Sequence, residues 1–211
     1  DGSTDLGSFS SLSEAVAVCN SISICTITMM GDDLSLSNSP VVISSDMNII
    51  LISDSGQTYK IVQEGTARHL EVNGKLTLEN VILEGEGATG GFNGGGIQVN
   101  SGGSFVMNDG EIRGNKASAG GAVYLEENST FIMVGGIISG NISDSAGGGV
   151  YMEGSNSSTT QFTMSGGSII NNNASSGGGI YATNNVVFEM GLGTVSGNTA
   201  VNGGGGIEIN D

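Results

Sequence analysis

The sequence predicts an all-β fold, a right-handed parallel β-helix (a solenoid) with a short capping helix at its N-terminal end. The first observation is a phrase that recurs every 26 to 31 residues, with Phe, then Met two residues later, Gly at the fifth position, a β-branched residue at the seventh and Asn at the tenth. The second is a glycine-rich phrase between these copies. The third is the alternation of apolar and polar residues within each copy. A period of this length is typical of solenoids, and the alternation indicates strands with one buried face.

The capping helix is predicted over residues 10–19. Ser11 stands three residues before Glu14, which is the spacing of a capping box, in which each side chain bonds a free backbone amide of the first helical turn. The segment 15–18 follows with the sequence Ala-Val-Ala-Val and supplies an apolar face. A helix at this point would cover the first coil, whose strand edges would otherwise be open.

Cys19 and Cys25 are the only two cysteines of the chain. An even cysteine number in a chain of extracellular character favours a disulfide between them. The alternative is a pair of reduced, buried thiols. We expect no metal site, because zinc sites need more Cys or His ligands and the chain has one histidine, His69.

Short strands separated by Gly, Asn, Asp or Pro are predicted after the cysteines, at 24–29, 34–36, 41–43 and 49–52. We treat 1–211 as a single β-helix domain, with irregular coils over 24–69 and regular coils of about 27 residues over 70–211. No cap follows the last copy of the repeat, so we expect the chain to be a segment of a longer protein.

The repeated Phe, Met and β-branched residues are expected to form columns inside the stacked coils. The asparagine column consists of Asn115, Asn141, Asn172 and Asn198. An inward Asn at a corner can bond its own backbone and the Asn of the next coil, so we interpret this column as a structural ladder.

The glycine-rich phrase contains an outward position between two inward apolar residues. Read coil by coil, this position is occupied by Glu71, Gln98, Tyr124, Tyr151, Tyr181 and Glu208. We hypothesise that the three tyrosines form a contact surface for a glycan or a partner protein, because aromatic side chains are enriched at binding interfaces. The alternative is that they only stack on each other and protect the sheet. We call these three tyrosines the tyrosine strip. The loop 153–161 is longer than its counterparts and could form one side of a binding site along the strip.

The charge balance excludes several partners. The net charge is −16 and all five basic residues precede residue 117, so nucleic acid and anionic membranes are not expected partners. No apolar run is long enough for a membrane helix, so we expect no membrane insertion of this segment. The abundance of Ser, Thr and Asn favours an extracellular or cell-surface location. No cofactor is expected.

Two short motifs carry a family resemblance. Gly120-Gly121-Ala122-Val123 and Phe105-Val106-Met107-Asn108 match the Gly-Gly-Ala-[Ile/Leu/Val] and Phe-x-x-Asn signatures of the polymorphic outer membrane protein family. Over residues 70–211 the chain resembles the β-helix passenger regions of bacterial surface proteins, and its N-terminal part is similar to the cap and first coils of pectin-lyase-like folds. The other Phe copies lack the Asn. The resemblance implies a secreted or cell-surface protein, often adhesive, and carries over no catalytic residue.

The sequence therefore favours a non-enzymatic, surface-exposed module of a bacterial adhesin-like protein. The alternatives are a polysaccharide lyase or hydrolase of pectin-lyase-like fold, and a structural spacer. An enzyme would need grouped carboxylates with a basic residue on one outer face. The best candidates are Asp109, Glu111 and Arg113, with Glu84 on the neighbouring coil, and we interpret Glu84 and Arg113 as a surface ion pair. We assign no catalytic residue.

Overall fold

The computed structural model of the chain describes residues 5–20, 22–36, 39–63, 65–85, 91–183 and 185–210. Within these residues the protein is a parallel β-solenoid with one helix near the N-terminus, α1 (Leu12–Val18). This confirms the predicted all-β fold class. The structure adds a strand at Tyr59–Gln63, a segment for which no strand is predicted from the sequence.

Each coil contributes one strand to each of three sheets in turn, and the later coils add a short extra strand. The first strands are β1 (Cys25–Met29), β2 (Asp33–Leu36), β3 (Val41–Ile43), β4 (Asn48–Ser53), β5 (Tyr59–Gln63), β6 (Leu70–Val72), β7 (Lys75–Glu79), β8 (Val81–Gly85) and β9 (Ile97–Val99). The next are β10 (Ser104–Met107), β11 (Gly110–Arg113), β12 (Lys116–Ala117), β13 (Val123–Leu125), β14 (Thr130–Met133), β15 (Ile137–Ser139), β16 (Ile142–Ser143) and β17 (Val150–Met152). The last are β18 (Thr160–Met164), β19 (Ser168–Ile170), β20 (Asn173–Ala174), β21 (Ile180–Thr183), β22 (Val186–Met190), β23 (Thr194–Ser196), β24 (Thr199–Ala200) and β25 (Ile207–Asn210).

The strands assemble into three seven-stranded sheets and one four-stranded sheet. The first sheet has the order β1-β4-β7-β10-β14-β18-β22, the second β2-β5-β8-β11-β15-β19-β23, and the third β3-β6-β9-β13-β17-β21-β25. The short sheet is β12-β16-β20-β24. The pairing is parallel and joins equivalent residues of the repeat, as where Phe131 pairs with Phe105 and with Phe162.

The interior of the solenoid is filled by the columns that the repeat predicts. Phe105, Phe131 and Phe162 are fully buried and stacked, with ring centroids 4.8 Å and 4.5 Å apart. The column continues to Phe188, whose ring lies 5.2 Å from that of Phe162. This spacing follows from the distance of about 4.8 Å between paired strands, so in-register pairing places each ring on the next.

The paired glycines before the third sheet lie where neighbouring coils approach closely. A Cβ added to Gly121 would overlap the carbonyl oxygen of Gly148 on the next coil. Gly120, directly before it, has a φ of +64°, which is unfavourable for residues with a side chain. The corner before the third sheet therefore requires both glycines.

The N-terminal helix covers the first coil. Leu12, Ala15 and Val16 are buried, and Leu12 and Val16 belong to the apolar core. The Ser11 hydroxyl accepts a hydrogen bond from the Glu14 amide at 3.3 Å, as the capping box predicts. The Glu14 carboxylate also accepts hydrogen bonds from the backbone amide and the hydroxyl of Ser10.

Two long-range links fix the helix to the solenoid. The Asp33 carboxylate, at the start of β2, accepts a hydrogen bond of 2.8 Å from the Leu12 amide. Cys19, directly after the helix, forms a disulfide with Cys25 at the start of β1. The predicted disulfide is thereby confirmed, and the alternative of two free thiols is wrong.

The asparagine column is hydrogen-bonded from coil to coil. The side-chain oxygen of Asn141 accepts bonds of 3.0 Å from both the backbone amide and the side-chain amide of Asn115. Asn172 accepts in the same way from Asn141, and Asn198 from Asn172. The side-chain amides of Asn141 and Asn172 also donate to strand carbonyls of the preceding coil, Ile112 and Ile138.

His69 occupies the interior before this column begins. Its Nε2 lies 3.1 Å from the carbonyl oxygens of Ile61 and Glu84. Ile61 pairs with Leu83, and Leu83 pairs with Ile112, whose carbonyl is bonded by Asn141. The His69 side chain therefore bonds interior strand carbonyls of the early coils, as the asparagine side chains do in the later coils. Burial lowers the pKa of the imidazole to about 4, so the ring is neutral at pH 7.

Candidate functional site

The three tyrosines of the predicted strip lie side by side on the outer face of the third sheet. Tyr124 pairs with Tyr151 in the ladder, and Tyr151 pairs with Tyr181. Their ring centroids are 4.9 Å and 5.3 Å apart, with interplanar angles of 4° and 19°. The column continues to Gln98 on one side and to Glu208 on the other.

The three tyrosine rings are stacked on one another. The rings stack face to face along the solenoid, so each inner face covers its neighbour, and the ring edges and hydroxyl groups point outward. Tyr124 is only 7% exposed although its position is on the outer face, whereas Tyr151 and Tyr181 are half-buried. The surface that remains is a row of ring edges and phenolic oxygens.

The three hydroxyl groups differ in their partners. The Tyr124 hydroxyl donates to Glu153 Oε2 at 2.9 Å, and burial together with this bond raises the pKa of the phenol. The Tyr181 hydroxyl accepts a bond of 3.0 Å from Asn210. Among the described residues, no hydrogen bond is formed by the Tyr151 hydroxyl. Its pKa is also raised, by burial and then by the charges of Tyr181 and Glu153.

A second column runs beside the tyrosines, two residues further along each coil. It consists of Asn73, Asn100, Glu126, Glu153, Thr183 and Asn210. The backbone ladder continues through it, because the amides of Asn100, Glu126 and Glu153 each donate to a carbonyl of the preceding coil. We call the two columns together the tyrosine face. Its first column is Glu71, Gln98, Tyr124, Tyr151, Tyr181 and Glu208.

Polar side chains in the first half of the tyrosine face form a connected network. Asn100 donates to Glu71 and to Asn73, both at 2.8 Å. Gln98 donates to Asn100 at 2.8 Å and to Glu126 at 2.7 Å. These bonds hold planar polar groups in fixed positions, which lowers the entropy that a ligand must overcome on binding.

The loop after β17 borders the tyrosine face. The Gly154 amide donates to the Thr183 hydroxyl at 2.6 Å, and Asn156 accepts a bond of 2.8 Å from Asn185. The Thr160 hydroxyl donates back to the Glu153 carbonyl at 2.6 Å. The long loop predicted to lie beside the strip is thus tied to the coil that carries Tyr181.

Glu84, Glu111 and Arg113, which were considered for an enzyme, lie on the second sheet, and Asp109 directly precedes strand β11 of that sheet. Arg113 pairs with Glu84 at 2.6 Å and with Glu111 at 2.8 Å, and Lys60 pairs with the other oxygen of Glu84 at 2.8 Å. Hydrogen bonds from Lys60 and Arg113 lower the pKa of Glu84. Asp109 instead accepts a bond from the Gly110 amide. The carboxylates near Arg113 are therefore engaged in ion pairs.

The sequence missed two features of these regions. Lys60 lies in β5, which the sequence did not predict, so the third charged partner of Glu84 was not expected. The two carbonyl contacts of His69 come from residues 8 and 15 positions away, so no local sequence pattern indicates them. The Lys60–Glu84 ion pair and the His69 contacts both depend on how the second coil aligns with the third, and this alignment is not contained in the repeat pattern.

Other classes of site are not found in the part of the chain that the structure describes. No group of three or more His, Cys, Asp and Glu side chains is placed to hold a metal ion there. That part also contains no helix with the length and apolar character needed to span a membrane. We found no family model, curated protein or solved structure that matches the chain.

Proposed function

We propose that this chain is a non-enzymatic binding module of a surface-exposed, adhesin-like protein. Its ligand, a glycan or a protein, would lie along the tyrosine face. The observation that carries the proposal is the row of tyrosine edges beside a column of carboxylate and amide groups. Tyrosine combines an apolar body with a polar tip and loses little conformational entropy on binding, which suits it to contact surfaces.

The main alternative for the tyrosines is a purely structural ladder that protects the third sheet. The stacked rings stabilise the solenoid in either case, by about 0.5–1.5 kcal/mol for each pair. The hydroxyl of Tyr151 distinguishes a binding role from a purely structural one. It adds nothing to the stacking and has no hydrogen bond within the described residues. A structural ladder does not need this oxygen.

The test is a glycan array and a pull-down screen with the whole chain. The affinity of the Tyr151→Phe variant is then measured for each ligand found. We expect Tyr151→Phe to keep the melting temperature and to weaken binding up to about tenfold, as the loss of one hydrogen bond does. Tyr59→Phe is the matched control, because Tyr59 lies in β5 on another sheet. Binding that survives the triple variant Tyr124→Ser, Tyr151→Ser, Tyr181→Ser would show that the tyrosines are only structural.

A further inference from the structure

In the first half of the tyrosine face, the side-chain amides of Asn100 and Gln98 donate all of their hydrogen bonds to other residues of the face. Each side-chain amide has two N–H groups. Those of Asn100 bond Glu71 and Asn73, and those of Gln98 bond Asn100 and Glu126. The carboxylate oxygens keep free lone pairs. The first half of the face therefore offers a ligand mainly the acceptor oxygens of its carboxylates.

The charge of the face has the same sign along most of its length. Glu71, Glu126 and Glu153 contribute carboxylates, and Arg68 at the N-terminal end is paired with Glu71 at 3.5 Å. After Lys116 the chain contains no basic residue. An acceptor-rich, negative surface binds positively charged donors best, because charge-assisted hydrogen bonds are about twice as strong as neutral ones.

The repeat of the face favours a polymer over a folded partner. Acceptors recur on successive coils, at the strand spacing of about 4.8 Å, so a ligand with a donor on every unit can meet several at once. The tyrosine strands β13, β17 and β21 are paired on both sides. An extended peptide thus has no open strand edge there to which it could add.

We infer that the tyrosine face binds an extended polysaccharide with free amino groups, of the glucosamine-chain type. The inference rests on the proposed function and narrows its ligand to one class. Ammonium groups would bond the carboxylates of Glu126 and Glu153, while sugar hydroxyl groups would bond the phenolic oxygens of Tyr151 and Tyr181. Polyuronates, which carry the opposite charge, would be repelled.

The experiment is calorimetric titration of the whole chain with two oligomers of equal length. One is β-1,4-linked glucosamine, and the other is its fully N-acetylated counterpart, which lacks the positive charge. We expect the amino form to bind at least tenfold more tightly at low salt, which corresponds to about 1.4 kcal/mol, and to lose this advantage as salt is added.

Variants then assign the effect to the face. Glu126→Gln and Glu153→Gln should each weaken binding of the glucosamine oligomer severalfold. Glu189→Gln, an equal change of charge at an exposed position of β22 in the first sheet, should not. Equal weakening by all three variants would overturn the inference. So would equal affinity for a lysine peptide of the same charge, because the attraction would then be general.

The outcomes separate this inference from the proposed function. If the N-acetylated oligomer or another neutral glycan binds as tightly, and Tyr151→Phe weakens that binding, the face is a glycan site and the amino preference is wrong. If the glucosamine oligomer binds but the tyrosine variants leave its affinity unchanged, both the inference and the proposed function are wrong.

Discussion

The buried imidazole of His69 makes the stability of the solenoid sensitive to mild acid. The ring is fully buried, and its pKa falls from an ordinary 6.5 to about 4 in the folded chain. Because the folded pKa is the lower one, the unfolded chain binds a proton first as the pH falls. The stability that depends on the neutral ring is therefore complete above about pH 6.5 and is lost between pH 6.5 and pH 4.

The size of this loss follows from the same two values. Each pH unit below 6.5 costs about 1.4 kcal/mol until the folded ring also titrates. At pH 5 the free energy of unfolding should therefore be about 2 kcal/mol lower than at pH 7. His69 is the only histidine of the chain.

The measurement is urea unfolding followed by circular dichroism at pH 7 and pH 5. The comparison is His69→Gln, whose side-chain amide can donate to the Ile61 carbonyl but does not titrate. We expect this variant to lose less stability than the unchanged chain between the two pH values, whatever its stability at pH 7. An equal loss in both proteins would refute the account, because the pH dependence would then come from other groups.

Three further predictions address the ladder, the disulfide and the absence of catalysis. Asn141→Ala should lower the free energy of unfolding by about 2–4 kcal/mol, because it leaves buried partners unpaired on two coils. Asn198→Ala, at the less buried end of the ladder, should lower the free energy of unfolding by less. Urea unfolding measures both variants. Intact-mass analysis after alkylation without reductant should show no adduct on Cys19 or Cys25, and reduction should destabilise the chain by about 2–3 kcal/mol. The chain should release no product from pectin or alginate, with or without calcium; release abolished by Arg113→Ala would favour the enzyme interpretation.

The sequence was sufficient to predict the columns because the coils are parallel and in register. Under that condition, residues at equal positions of the repeat become neighbours, as Phe105 and Phe131 do. The positions of the tyrosines relative to one another follow from the same rule. So does the pairing of Glu84 with Arg113, although they are 29 residues apart in the chain.

The sequence could not predict contacts that depend on side-chain rotation or on irregular coils. The tyrosine rings turn their faces to each other because the strand spacing nearly equals the stacking distance of aromatic rings. Their outward surface therefore consists of edges and hydroxyl groups. This orientation is a property of the packed sheet, and the alternation of residues along one strand does not contain it.

The sequence by itself determined the solenoid, its capping helix and the composition of its columns, since each depends on a local pattern or a fixed period. The tertiary structure decided which polar groups are paired and which remain free. His69 bonds two carbonyls from the second and third coils, and Lys60 reaches Glu84 from a strand outside the regular repeat. These contacts form only after the coils are stacked, because the burial and register that create them are properties of neighbouring coils.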